Sequence, residues 1–145
     1  MPQPISWSAL AEATVGVWGL GVEGRASVRR LATMGLRPVL ADDAPTTSEF
    51  EGVEVLTTST GGFDALLACD VVVKSPGISR YRPEVAQLEA VGVAVCGGLG
   101  LFMAEADLSR VACITGTKGK STTTALAVHL LSGLGYDARA GGNIG

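Results

Sequence analysis

Residues 14–24 read Thr-Val-Gly-Val-Trp-Gly-Leu-Gly-Val-Glu-Gly, an apolar run that ends in three spaced glycines. The apolar residues predict a short buried strand, and the segment after Gly24 carries Val28, Leu31 and Met34 at helical spacing. This is the G-x-G-x-x-G pattern between a strand and a helix. Gly19 permits the tight turn, Gly21 lets the backbone approach a diphosphate, and Gly24 lets the helix pack on the strand. The stretch therefore predicts a Rossmann-like α/β fold that binds a nucleotide.

An acidic pair follows at the distance at which such folds contact a ribose or base. Residues 38–41 predict a second strand, which ends at Asp42 and Asp43. A simple loop-capping role for either aspartate is an equal alternative. The most direct reading of this part alone is an NAD(P)-dependent oxidoreductase.

A third candidate ligand position follows the apolar run of residues 70–74. That run predicts a central parallel strand, and it stops at Ser75, Pro76 and Gly77. At the carboxyl edge of a parallel sheet, these residues would lie beside the first glycine loop. An ordinary turn would use the same residue types, so both readings stay open here.

The stretch of residues 111–124 predicts a second phosphate-binding loop. It reads Val-Ala-Cys-Ile-Thr-Gly-Thr-Lys-Gly-Lys-Ser-Thr-Thr-Thr, which indicates a buried strand, a glycine loop and the start of a helix. Lys120 would supply charge to the outer phosphates, and the Ser121 hydroxyl is suited to Mg²⁺. The strict P-loop has a further glycine where this chain has Ile114, so the loop is a variant.

The order of these patterns predicts two domains. Residues 1–106 form a Rossmann-like domain with alternating strands and helices, including a short linking segment at its end. Residues 107–145 form the first part of an ATP-binding P-loop domain, with a helix at 120–132 facing a sheet through its leucines and another strand at 137–140. One or two strands and one helix cannot close such a domain. We therefore expect the amino-terminal part of a longer enzyme.

Composition narrows the class of protein. The formal net charge is −3 and the basic residues are scattered, which argues against nucleic acid as a partner. No apolar run reaches the ~18 residues of a membrane helix, so we expect no membrane association.

The three cysteines, Cys69, Cys96 and Cys113, lie in or beside apolar runs and are expected to be reduced core thiols. We expect a cytoplasmic monomer. The single histidine, His129, is expected to be a packing or surface residue.

The loop of residues 116–122, with Gly-Gly-Asn-Ile-Gly at 141–145, resembles the ATP-binding signature and downstream substrate loop of the Mur ligases. Within that family, residues 19–24, the strand ending at Asp42 and the segment 75–78 are similar to the UDP-binding domain of the glutamate-adding ligases. The resemblance covers essentially the whole chain. It implies that the first glycine loop holds UDP instead of NAD.

The resemblance implies an ATP-dependent ligase of peptidoglycan precursor synthesis. ATP would phosphorylate the carboxylate of UDP-N-acetylmuramoyl-L-alanine, and the amino group of glutamate would attack the acyl phosphate to form an amide. It implies ATP and Mg²⁺ as cofactors, with Lys120 as the catalytic residue and Ser121 as a metal ligand. The implied ATP-binding residues are Gly116, Thr117, Lys118, Gly119, Lys120, Ser121 and Thr122. The implied UDP-substrate residues are Gly19, Gly21, Val22, Glu23, Gly24, Asp42, Asp43, Ser75, Pro76, Gly77 and Asn143.

Two departures from the family pattern concern the amino acid that is added. Lys118 stands where the family usually has Asn, and residues 97–102 lack the acidic side chains usual in the D-glutamate ligases. Both D- and L-glutamate addition therefore remain open. The family's remaining metal ligands, its modified lysine and its last domain are expected beyond Gly145, so this part alone should be inactive. A non-catalytic nucleotide-binding module is a further alternative.

Overall fold

The computed structural model describes residues 5–142. The chain divides into two compact units with the boundary between Glu105 and Ala106. The first unit is a six-stranded sheet with helices on both faces. Its strands are β1 (Val15–Trp18), β2 (Val39–Asp42), β3 (Glu49–Phe50), β4 (Val53–Thr57), β5 (Val71–Lys74) and β6 (Ala94–Cys96). Its helices are α1 (Val22–Thr33), α2 (Gly62–Leu67), α3 (Pro83–Ala90) and α4 (Gly98–Glu105).

The sheet order is β3-β4-β2-β1-β5-β6, and every pairing is parallel except that of β3 with β4. β1 lies between β2 and β5, so the connections run outward from β1 in opposite directions. In an open α/β sheet, ligands bind at the carboxyl ends of the strands where this reversal occurs. The α/β, Rossmann-like fold expected for this part of the chain is confirmed.

The period-two alternation of the strands divides the core between the two faces of the sheet. Val15 and Val17 of β1 belong to one cluster, which includes Val28 and Leu31 of α1 and Leu101 of α4. The other cluster contains Trp18 of β1 with residues of α2 and α3. Because both faces are covered, all four residues of β1 are buried, as a central parallel strand requires.

The second unit contains one long helix, α5 (Lys120–Gly133), close to the predicted 120–132. The predicted strands at 111–114 and 137–140 are not formed, because between residues 106 and 142 there is no other strand to pair with them. Cys113 is exposed, so the expectation of a core thiol there was wrong. The helix leucines expected to face a sheet are exposed as well: Leu126, Leu130, Leu131 and Leu134.

Candidate functional site

The first glycine loop turns sharply between β1 and α1. Gly19 has a φ of 87°, in the left-handed region that favours glycine, and a Cβ there would lie 2.9 Å from Ile78 Cδ1. Its N–H donates a hydrogen bond to the Ala41 carbonyl oxygen at 2.8 Å. Helix α1 then begins with Gly21 as its N-cap and no side-chain cap. Its first N–H groups therefore remain available to an anion.

Gly21 and Gly24 serve different purposes in this turn. A Cβ on Gly24 would lie 1.9 Å from the Gly19 carbonyl oxygen, so glycine is required for the helix to close on the turn. A Cβ on Gly21 would meet nothing within 4 Å. The space beside Gly21 is thus open, which suits the close approach of a ligand.

Ser75 connects the second loop to the first. Its hydroxyl donates to the Gly19 carbonyl oxygen at 2.6 Å, and its N–H donates to the Trp18 carbonyl oxygen at 2.8 Å. The residue is buried, whereas Pro76 and Gly77 are exposed at the sheet edge. Ser75 therefore stabilises the glycine turn. The exposed Pro76 and Gly77 are the residues of this segment that a ligand can reach.

The Asp42 carboxylate joins the glycine turn to the loop that follows β2. One carboxylate oxygen accepts the Leu20 N–H at 2.6 Å, and the other accepts the Ala44 N–H at 2.9 Å. The acid at the end of β2 therefore fixes the glycine turn and its own loop together. The bond to the Ala44 N–H is the loop-capping contact that the sequence analysis considered for this residue.

Asp43 lies in a cluster that the sequence analysis did not identify. Its carboxylate accepts hydrogen bonds from Trp18 Nε1 at 3.2 Å, from Thr58 Oγ1 at 2.8 Å and from the Arg82 guanidinium. Arg82 also pairs with Glu84 at 2.9 Å and lies 4.9 Å from the Trp18 ring centroid. Partial burial raises the pKa of Asp43, but the hydrogen bonds from Arg82, Thr58 and Trp18 outweigh it and hold that pKa below its ordinary value.

The only sequence signal for Arg82 is its position directly before Pro83, since proline is favoured in the first turn of a helix. A lone arginine at a helix start does not indicate which carboxylate it will meet. Here the sheet brings Arg82 to Asp43, 39 residues away in the chain. The cluster fixes the turn after β2 to the start of α3.

A shallow cleft of about 230 Å³ opens beside the glycine turn. We call it the Leu20 cleft: it lies between residues 20–21 and residues 44–47, and Arg25 and Asp42 contribute to its wall. Val22, at the first position of α1, is 86% exposed. Val22 and Glu23 are thus accessible at the start of the helix that borders the cleft.

The second predicted loop, residues 116–122, lies in the second unit. Gly119 has a φ of 77° and is the N-cap of α5, which has no side-chain cap. Lys120 Nζ donates to the Gly116 carbonyl oxygen at 2.6 Å, so the lysine folds back over the loop. Thr117, Lys118, Ser121 and Thr122 are exposed around it. An uncapped helix start beside a lysine and hydroxyls is suited to phosphate.

The described residues contain no group of three or more His, Cys, Asp or Glu that would hold a metal ion by itself. The exposed Ser121 hydroxyl at the second position of α5 fits one ligand of a Mg²⁺ that takes its other oxygens from phosphates and water. Asn143, the remaining predicted site residue, lies outside the described residues. In residues 5–142, no helix is both long and apolar enough to cross a membrane.

The profile of the family described as Mur ligase MurD-like, N-terminal domain, matches residues 13–97. Those residues contain the glycine turn, Asp42, Asp43 and Ser75. The chain belongs to the Mur ligase family. The match covers the parallel strands and the sheet edge that carries the Leu20 cleft, and the family resemblance stated from the sequence is confirmed.

Three curated relatives, each named UDP-N-acetylmuramoyl-L-alanine--L-glutamate ligase, extend the similarity. The protein from Xanthomonas euvesicatoria is 41% identical over 148 residues, that from Micromonospora sp. 40% over 145 residues, and that from Xylella fastidiosa 41% over 150 residues. Each match covers 95% of this chain and 32% of the relative. The chain thus spans about a third of the length of these relatives.

Proposed function

We propose that this chain is the UDP-binding and ATP-loop part of an ATP-dependent ligase that adds L-glutamate to UDP-N-acetylmuramoyl-L-alanine. The observation that carries the proposal is the similarity of about 40% over 95% of the chain to relatives named as L-glutamate ligases. It favours L-glutamate over D-glutamate, in line with the two departures at Lys118 and residues 97–102.

The first unit would hold the UDP handle of the substrate. Its diphosphate fits the uncapped start of α1 beside Gly21, where free N–H groups and the helix dipole favour negative charge. The nucleoside then extends into the Leu20 cleft, past Asp42. The exposed Val22, Pro76 and Gly77 and the half-buried Glu23 would border the ligand. Ser75 and Asp43 would maintain the shape of the edge.

The loop at 116–122 would hold ATP. Lys120 would leave the Gly116 carbonyl oxygen for the outer phosphates, Gly119 and the α5 amides would cradle them, and Ser121 would be one ligand of Mg²⁺. The metal would neutralise phosphate charge during transfer to the substrate carboxylate. Positioning and neutralisation are the main requirements of phosphoryl transfer, and these residues are suited to both.

Calorimetry of the 145-residue chain with UDP and with NADH tests the first half of the proposal. We expect UDP to bind and NADH to give no heat of binding. Binding of NADH without a response to UDP would favour the oxidoreductase alternative and contradict the proposal.

A chimera tests the activity. Residues 1–145 replace the matching third of the Xanthomonas euvesicatoria relative, and ADP release is measured with UDP-N-acetylmuramoyl-L-alanine and either L- or D-glutamate. We expect turnover with L-glutamate. A folded chimera that binds UDP but releases no ADP would favour the non-catalytic module.

A further inference from the structure

The guanidinium of Arg25 lies in the wall of the Leu20 cleft, with donors left over for a ligand. Its Nε donates to the Leu20 carbonyl oxygen at 2.9 Å, which fixes the plane of the group. Within the described chain this is the only hydrogen bond of the Arg25 side chain. The two terminal nitrogens therefore have up to four N–H donors without a protein acceptor.

The position of Arg25 is fixed from a second side. Its guanidinium carbon lies 4.8 Å from the centroid of the Phe50 ring, a cation–π geometry. Phe50 belongs to β3, the short antiparallel edge strand that follows the cleft loop. The carbonyl of Leu20 and the ring of Phe50 thus hold the arginine before any ligand arrives, which lowers the entropy lost on binding.

Arg25 and Asp42 both bind the backbone of Leu20. Asp42 accepts the N–H of Leu20 at 2.6 Å, and Arg25 donates to the carbonyl of Leu20 at 2.9 Å. Both side chains line the cleft. Opposite charges therefore border one small opening next to the uncapped start of α1. This arrangement suits a ligand with acceptor oxygens at one end and phosphates at the other.

We infer that Arg25 binds the nucleoside end of the UDP handle, donating from its terminal nitrogens to acceptor oxygens of the ribose or uracil. The inference rests on the proposed function. The ribose hydroxyls and the two uracil carbonyls supply such acceptors. A planar guanidinium can reach two of them at once, which a lysine ammonium cannot do in the same geometry.

Arg25→Lys tests the inference because it keeps the positive charge and most of the aliphatic stem. We expect UDP binding measured by calorimetry to weaken about tenfold, since the fixed fork is lost. The matched control is Arg29→Lys. Arg29 is one turn further along α1 and also lies over the Phe50 ring, at 5.4 Å, but pairs with Glu51 and does not line the cleft. We expect it to bind UDP as the unmodified chain does.

Thermal melting of both variants ensures that folded proteins are compared, and Arg25→Gln is the second variant if the lysine protein is unfolded. Weakened binding by a folded Arg25 variant, with Arg29→Lys unchanged, supports the inference. Binding of UDP by a folded Arg25 variant within twofold of the unmodified chain overturns it and leaves the proposed function standing. If the unmodified chain itself does not bind UDP, the proposed function fails, and with it the inference.

Discussion

The Ser75 hydroxyl donates to the Gly19 carbonyl oxygen at 2.6 Å, joining two loops whose residues lie 56 positions apart. Both loops follow central strands, and the parallel register places Trp18 beside Lys74 at the strand ends. The bond lies at the point where the strand order reverses. The ligand-facing edge of the first unit is therefore built around a buried serine that is itself used for structure.

Ser75→Ala should destabilise the first unit by about 1–2 kcal/mol, because the hydrogen bond from the buried Ser75 hydroxyl to the Gly19 carbonyl oxygen is lost. Urea unfolding followed by circular dichroism measures this loss. Ser79→Ala is the control, since the exposed Ser79 hydroxyl only accepts the N–H of Tyr81 at 3.2 Å. Equal stability of the two variants would contradict the role assigned to Ser75.

Gly24→Ala should destabilise the fold by about 1–3 kcal/mol or more, because its Cβ would clash with the Gly19 carbonyl oxygen. Gly21→Ala is the matched variant: its added Cβ has open space, and its φ of −68° suits alanine. We expect Gly21→Ala to melt as the unmodified chain does but to bind UDP more weakly, since the methyl group occupies ligand space. Thermal melting and calorimetry on both variants check this pair, and a stable Gly24→Ala protein would argue against the turn geometry.

The ionised Asp43 should stabilise the chain above about pH 4 and lose that effect in acid. Its folded pKa is depressed, so the stabilisation is complete above the unfolded value of about 3.9 and disappears as the pH falls through the folded pKa. Because Asp43 is 43% exposed, solvent screening limits the contribution to about 1 kcal/mol. Asp43→Asn should therefore be less stable at pH 7 and approach the unmodified chain near pH 3.

Urea unfolding at pH 7, 5 and 3 measures this difference. The control is Asp137→Asn, which removes the partner of Arg139 from a pair whose side chains are 78% and 83% exposed. It should change stability little at any of the three pH values. A constant gap between Asp43→Asn and the unmodified chain across the series would show that ionisation is not the cause.

Lys120→Ala in the chimera should lower ADP release by about 100-fold or more, because the charge on the outer phosphates is lost. UDP affinity should be unchanged, since the lysine belongs to the second loop. Lys118→Asn serves as the control, as Lys118 is exposed and the resemblance to the family implies Asn at this position. Retained turnover by Lys120→Ala would show that this loop does not hold the transferred phosphate.

Local patterns predicted much of the first unit. The apolar runs gave β1, β2 and β5, and the glycine spacing gave the turn into α1, because both depend on short-range geometry. The hairpin strand β3 was not predicted, since two residues carry no periodicity. The strand expected at 111–114 was wrong within the described residues, because an apolar run forms a strand only beside a partner strand.

The sequence by itself determined the parallel α/β class, the glycine turn and the family, because the apolar runs of the strands, the helical spacing and the glycine motifs are local properties. Only the tertiary structure decided which polar groups meet. It brought Ser75 to Gly19, Arg82 to Asp43, and Arg25 with Asp42 to the two sides of Leu20. Apart from Arg25 and Leu20, these pairs join residues 22 to 56 positions apart, and their geometry follows from the order and register of the strands, which no single stretch specifies.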